Sequence, residues 1–76
     1  MKIEILGPGC WRCKQVEANV RRALQELKVD AKIEKITDFA KITEKVSMTP
    51  GLVIDGKIKA EGRIPEVEEI KKWLEK

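Results

Sequence analysis

Two cysteines, Cys10 and Cys13, are the residues of this sequence best suited to redox or soft-metal chemistry. Trp11 and Arg12 separate them. The chain has no histidine and its only serine is Ser47, which excludes Ser-His and Cys-His nucleophile pairs and imidazole metal ligands. Cysteines at this spacing close into a small disulfide ring or bind soft metals such as copper(I) and zinc. The spacing alone leaves both chemistries open.

The cysteine pair follows a predicted strand and begins a predicted helix. Ile3, Ile5 and Leu6 form the strand, which stops at Gly7-Pro8-Gly9. The residues that then recur at helical spacing are Val16, Val20, Ala23, Leu24 and Leu27. The free N–H groups and the positive dipole end of the first helical turn stabilise a thiolate. We therefore predict that Cys10 is the attacking nucleophile and that Cys13, more buried, is the resolving cysteine.

The residues around the cysteines suggest contacts with a partner. Arg12 and Lys14 are cations at a helix end where they oppose the dipole, and a Cys10 thiolate would explain Arg12. A solvated side chain is the alternative for both residues, and for Lys14 it is an equally good interpretation. Trp11 does not share the phase of the apolar stripe, so we predict an exposed platform for a protein partner, with a core position as the alternative.

The remaining segments predict an α/β domain with the order βαβαββα. They indicate a second strand, a short helix capped by Asp38, two strands joined by an Asp55-Gly56 turn, and a final helix opened by Pro65. The positions that mark these elements are 32–36, Phe39, Ile42, Val46, 52–54, 57–60, Val67, Ile70 and Leu74. The first two strands should be parallel and the last two antiparallel. A four-stranded mixed sheet covered on both faces by three helices follows, as one domain over residues 1–76.

Composition limits the compartment and the partners. The 76 residues carry 16 Lys+Arg and 13 Asp+Glu, mixed along the chain, which is not the footprint of a nucleic-acid-binding protein. The longest apolar run, 52–54, is far below the roughly 20 residues that span a bilayer, and residues 1–4 lack the hydrophobic region of a signal peptide. We expect a cytoplasmic monomer without membrane or nucleic-acid partners.

Two motifs together resemble the thioredoxin superfamily. Residues 9–14, Gly-Cys-Trp-Arg-Cys-Lys, follow the first strand, and Met48-Thr49-Pro50 precede the hairpin. The resemblance covers essentially the whole chain, and the most similar members in size are small thioredoxin- and glutaredoxin-like redox-active disulfide proteins. It implies a thioredoxin-like fold and a thiol–disulfide oxidoreductase that acts on disulfide-bearing client proteins. The redox group would be a reversible Cys10–Cys13 disulfide, with no other cofactor and no metal.

The resemblance also implies roles for other residues. Pro50 would be a cis-proline facing the cysteines, with Thr49 offering backbone hydrogen bonds to a substrate segment. From their own positions, Trp11 and Arg12 are predicted to contact the same substrate. Glu4 occupies the position of the buried acid that thioredoxins carry before the motif, and would shuttle protons for Cys13; a solvated strand residue is the alternative.

One departure from the family pattern affects the redox properties. Trp11-Arg12 replaces the Gly-Pro of thioredoxins and the Pro-Tyr of glutaredoxins. The redox potential therefore does not carry over from either group. We expect a thioredoxin-reductase-like flavoprotein or glutathione as the reductant, and the sequence does not decide between them.

Two other functions compete with disulfide exchange. Heavy-metal-associated domains also place a C-x-x-C motif between a first strand and a helix, which suggests a copper or zinc carrier. Their order is βαββαβ, so the predicted final helix argues against that fold, although metal binding on a thioredoxin fold stays open. An interaction module with incidental cysteines explains neither the position of the cysteines nor Thr49-Pro50.

Overall fold

The elements follow the predicted order. The structure, a computed structural model, describes residues 1–7, 9 and 11–75. Its elements are β1 (Lys2–Leu6), α1 (Trp11–Leu27), β2 (Lys32–Ile36), α2 (Phe39–Lys45), β3 (Gly51–Ile54), β4 (Lys57–Glu61) and α3 (Val67–Leu74). The α/β class and the βαβαββα order are thus confirmed. Because α2 separates β2 from β3, the chain does not have the βαββαβ fold of heavy-metal-associated domains.

The four strands form one mixed sheet in the order β2-β1-β3-β4. Strand β1 is parallel to β2 and antiparallel to β3, and β3 is antiparallel to β4. The turn between β3 and β4 has φ values of 49° at Asp55 and 82° at Gly56, the left-handed backbone that a two-residue hairpin turn requires. The predicted strand directions are therefore confirmed.

Side chains alternate between two cores, one on each face of the sheet. Helices α1 and α3 cover the larger core and α2 covers the smaller one. The larger core comprises Ile3, Ile5, Val16, Val20, Ala23, Leu24, Leu52, Ile54, Ala60, Ile70 and Leu74. The smaller core comprises Leu6, Ile42, Val46 and Val53. Among the described helices, none combines the length and apolar content needed to span a bilayer.

Helix α2 confirms the predicted cap and corrects one apolar position. The Asp38 carboxylate accepts a hydrogen bond from the Ala40 N–H at 3.0 Å, as an N-cap does. Ile42 and Val46 are buried, whereas Phe39 is 77% exposed. Phe39 is the first residue of the helix, and it projects into solvent instead of joining Ile42 in the smaller core.

The start of α3 differs from the prediction. Pro65 does not open the helix; Glu66 is the N-cap, and its N–H donates to the Glu69 carboxylate at 3.2 Å. Pro65 is buried, and its carbonyl accepts a hydrogen bond from Asn19 Nδ2 at 2.9 Å. The proline therefore ties the chain before α3 to helix α1.

Candidate functional site

Cys13 lies in the first turn of α1 and is only 7% exposed. Its sulfur abuts the backbone of Gly7, since a Cβ atom on Gly7 would overlap Cys13 Sγ. The Gly7 N–H donates to the Ile36 carbonyl at 3.0 Å, which holds this backbone between the ends of β1 and β2. Cys10 immediately precedes α1 but lies outside the described residues, as does Pro8. Its role as nucleophile and its pairing with Cys13 stay predictions.

The Thr49–Pro50 segment lies beside the same glycine. Its peptide bond is cis, and the Pro50 carbonyl accepts a hydrogen bond from the Gly62 N–H at 3.0 Å. A Cβ on Gly7 would lie 4.0 Å from Pro50 Cα. Pro50 is buried while Thr49 is exposed. The structure therefore brings Cys13 and Pro50 together at the end of the sheet where Leu6 pairs with Gly51.

Trp11 and Arg12 form an exposed stacked pair next to Cys13. Trp11 is 67% exposed, which rules out the core alternative, and Arg12 Cζ lies 5.6 Å from the centroid of its ring. A distance in this range is typical of a cation–π contact. Lys14 is also exposed. Trp11, Arg12 and Lys14 thus offer an aromatic face and two cations to a partner.

Met48 is an exposed apolar residue whose role the sequence did not reveal. It is 62% exposed and packs over Gly62, where a Cβ would come within 3.0 Å of Met48 Cβ. Gly62 also has a φ of 71°, a backbone conformation that favours glycine. Met48 precedes Thr49 in the chain, so an apolar side chain accompanies the predicted substrate-binding segment. In the sequence, only the position of Met48 directly before Thr49-Pro50 could have indicated that it lies at the candidate site.

Glu4 is buried and paired. It is 6% exposed, so the solvated alternative is wrong. Lys45 Nζ donates to Glu4 Oε2 at 2.7 Å from helix α2. Lys45 had no signal in the sequence, because the pair joins positions that only the packing of α2 on the sheet brings together. Glu4 faces α2, whereas Cys13 belongs to α1 on the other side of the sheet, so the structure does not bring these two predicted site residues together.

A crevice beside Cys13 opens between α1 and the edge of the sheet. Its volume is about 250 Å³, and it is lined by Ile5, Gly7, Gly9, Cys13, Lys14, Glu17, Lys35 and Thr37. Arg21 and Lys35 bind the Glu17 carboxylate at 2.8 and 3.1 Å. The hydrogen bond from Arg21, followed by that from Lys35, lowers the pKa of Glu17. A charged ion pair therefore borders this crevice.

Metal binding would depend on Cys10. Among residues 1–7, 9 and 11–75, no group of three or more histidine, cysteine or acidic side chains is placed to hold a metal ion. Cys13 is the sole thiol in that part of the chain. The soft-metal hypothesis consequently requires Cys10 as a second ligand, and Cys10 lies outside the described residues.

Comparison with known proteins agrees with the fold. A thioredoxin domain family model matches residues 1–75. A thioredoxin of Methanocaldococcus jannaschii is 50% identical over 72 residues, which cover 95% of this chain and 84% of that protein. A thioredoxin of Methanothermobacter thermautotrophicus is 47% identical over 75 residues, 97% of either chain.

Proposed function

The chain belongs to the thioredoxin domain family, and from that membership we propose that it is a small thiol–disulfide oxidoreductase acting on client proteins through Cys10 and Cys13. Thiol–disulfide exchange is the general activity of this family. The observation that most supports the finer assignment is the position of Cys13, buried in the first turn of α1 and separated from Pro50 by the backbone of Gly7.

The proposed reaction has two exchange steps. The Cys10 thiolate attacks one sulfur of a client disulfide, forming a mixed disulfide and releasing the other client sulfur as a thiolate. The Cys13 thiolate then attacks Cys10 Sγ, which forms the Cys10–Cys13 disulfide and releases the second client thiolate. The client gains two electrons and the cysteine pair loses two. The buried position of Cys13 suits a sulfur that reacts only with its neighbour.

The client would lie across the exposed residues around the cysteines. Thr49 is exposed next to Pro50. Its backbone would hydrogen-bond an extended client segment. Trp11 and Met48 supply exposed apolar surface, and Arg12 supplies a cation. Extended backbone pairing gives affinity without sequence specificity, as in other strand-addition modes of recognition.

The remaining partners follow from the same proposal. A thioredoxin-reductase-like flavoprotein or glutathione would return two electrons to the oxidised pair, and the disulfide itself would be the only redox group. We propose a monomer in the cytoplasm, where reducing conditions favour catalytic over structural cysteines.

A redox titration tests this function. The fraction of Cys10–Cys13 disulfide is measured across dithiol buffers by thiol trapping and mass spectrometry. A two-electron transition between about −180 and −270 mV would support a protein disulfide oxidoreductase. If the pair never closes, exchange is refuted and copper(I) titration tests the carrier hypothesis.

The Cys10→Ser variant provides the first kinetic prediction. It should lose disulfide reductase turnover, because the attacking thiolate is gone, while its unfolding curve stays that of the parent protein. The Cys13→Ser variant should instead accumulate a mixed disulfide with the client. Full turnover by Cys10→Ser would contradict the mechanism.

A further inference from the structure

Arg12 differs from the other arginines in having no carboxylate partner among the described residues. Arg21 binds Glu17 at 2.8 Å, and Arg22 binds Glu26 at 3.0 Å. Arg63 binds Glu69 through two hydrogen bonds of 3.0 Å each. For Arg12 the described contact is the ring of Trp11. Among the arginines of the chain, Arg12 is therefore the one whose exposed guanidinium has no carboxylate partner within the described residues.

A second arginine–tryptophan contact, between Arg63 and Trp73, shows what completes such a pair. Arg63 Cζ lies 5.9 Å from the centroid of Trp73, and its two terminal nitrogens bind both oxygens of Glu69. A guanidinium that lies over an aromatic ring keeps its fork of donors for a bidentate carboxylate. Arg12 lies over Trp11 at a similar distance, 5.6 Å, and has no carboxylate partner among the described residues.

The surroundings of Arg12 also favour an anion from outside the chain. The first turn of α1 contains no acidic residue, and Lys14 is a second exposed cation in it. Cations at the positive end of a helix dipole are unfavourable until an anion offsets them. The Cys10 thiolate offers such a charge only before the client is attacked, because the sulfur of a mixed disulfide is uncharged.

We propose that Arg12, stacked on Trp11, recognises client segments that carry an aspartate or glutamate next to the reactive cysteine. The client carboxylate binds the guanidinium in the way that Glu69 binds Arg63, and a neighbouring apolar side chain of the client packs on Trp11. The selected clients are thus proteins with acidic sequence around their disulfide. This specificity rests on the proposed oxidoreductase function.

Two matched peptide disulfides test the specificity. They differ only in glutamate or lysine beside the cysteine, and the second-order rate constant of their reduction by the reduced protein is measured for each. The parent protein should prefer the glutamate peptide about three- to tenfold, with the preference falling at high ionic strength. Arg12→Gln should bring the ratio close to one and Arg12→Glu should reverse it. The ratio cancels any change in Cys10 nucleophilicity, which alters both rates equally.

Lys57→Glu is the matched control. This substitution changes the net charge by the same amount as Arg12→Glu. Lys57 is exposed and lies at the far end of the sheet from the candidate site, where it pairs with Ile54. Its ratio should stay within about twofold of the parent, since water and salt screen charges beyond about 10 Å. If the parent and Arg12→Glu had the same rate ratio, the inference about acidic clients would be overturned while the oxidoreductase function would stand. The same conclusion would follow if Lys57→Glu changed the ratio as much as Arg12→Glu does. Reduction of neither peptide by the parent would overturn the oxidoreductase function itself.

Discussion

Replacing Gly7 with alanine should destabilise the reduced protein through one contact. The added Cβ would overlap Cys13 Sγ, while Cys13 Cβ would lie at an ordinary 3.5 Å. Left-handed backbone occurs at Gly9, Gly56 and Gly62 but not at Gly7, so alanine brings no comparable backbone strain there. The collision with the sulfur therefore decides the outcome.

The expected cost follows from two opposing effects. Forcing an extra methyl group into a packed site costs about 1–3 kcal/mol. Alanine in place of glycine recovers about 0.4–1 kcal/mol by restricting the unfolded chain. The net loss in the free energy of unfolding should be about 1–2 kcal/mol. In a domain of this size each kcal/mol lowers Tm by about 4–8 °C.

A double-mutant cycle in excess dithiol provides the assay. Urea unfolding is measured for the parent, Gly7→Ala, Cys13→Ala and the double variant. Removing the sulfur leaves room for the new methyl group, so Gly7→Ala should cost nothing, or stabilise, in the Cys13→Ala background. An equal cost in both backgrounds would refute the steric explanation.

Gly51→Ala serves as the control for this cycle. A Cβ on Gly51 would lie 2.8 Å from Val46 Cγ1 and would therefore also crowd the interior. Because that contact involves no atom of Cys13, the cost of Gly51→Ala should be the same with cysteine or alanine at position 13. Coupling between positions 51 and 13 would show that the packing effect is not local.

Two further predictions concern ion pairs. Lys45→Met should lower the free energy of unfolding by about 1–2 kcal/mol in urea titrations, because the buried Glu4 carboxylate loses its charged donor. An unchanged urea midpoint would show that Glu4 does not need the hydrogen bond from Lys45. The hydrogen bond from Arg63 lowers the pKa of Glu69 below 4.5, so its contribution is present above about pH 4.5 and is lost as the pH falls through the lowered value. The Tm difference between the parent and Glu69→Gln should therefore be largest at neutral pH and shrink in acid; a pH-independent difference would contradict this.

The fold could be predicted because its signals are local. Helical spacing from Val16 to Leu27 and the Asp55-Gly56 turn each depend on residues close in sequence, and both lead directly to elements of the structure. Phe39 and Pro65 were misplaced for the opposite reason. Whether an apolar residue is buried, or a proline begins a helix, depends on neighbours such as Asn19 that only the tertiary structure supplies.

The candidate site was predictable where motifs reveal it and not where packing creates it. Thr49-Pro50 could be associated with the cysteines by resemblance alone. The close approach of Gly7 to Cys13 and the pairing of Glu4 with Lys45 have no sequence signature, because each joins residues from different elements across the fold. Only the structure shows that Arg12 lacks a carboxylate partner among the described residues, whereas Arg63 has one in Glu69.

The strand order also bears on association between copies of the chain. The outer strands β2 and β4 are the ones with a free row of backbone N–H and C=O groups, the usual template for aggregation. Lys32 and Lys35 lie on β2, and Lys57 and Lys59 lie on β4, whose pairing with β3 is also interrupted by a bulge. Edge-to-edge pairing would desolvate these ammonium groups and bring like charges together. The lysines of the two edge strands therefore disfavour growth of the sheet beyond four strands.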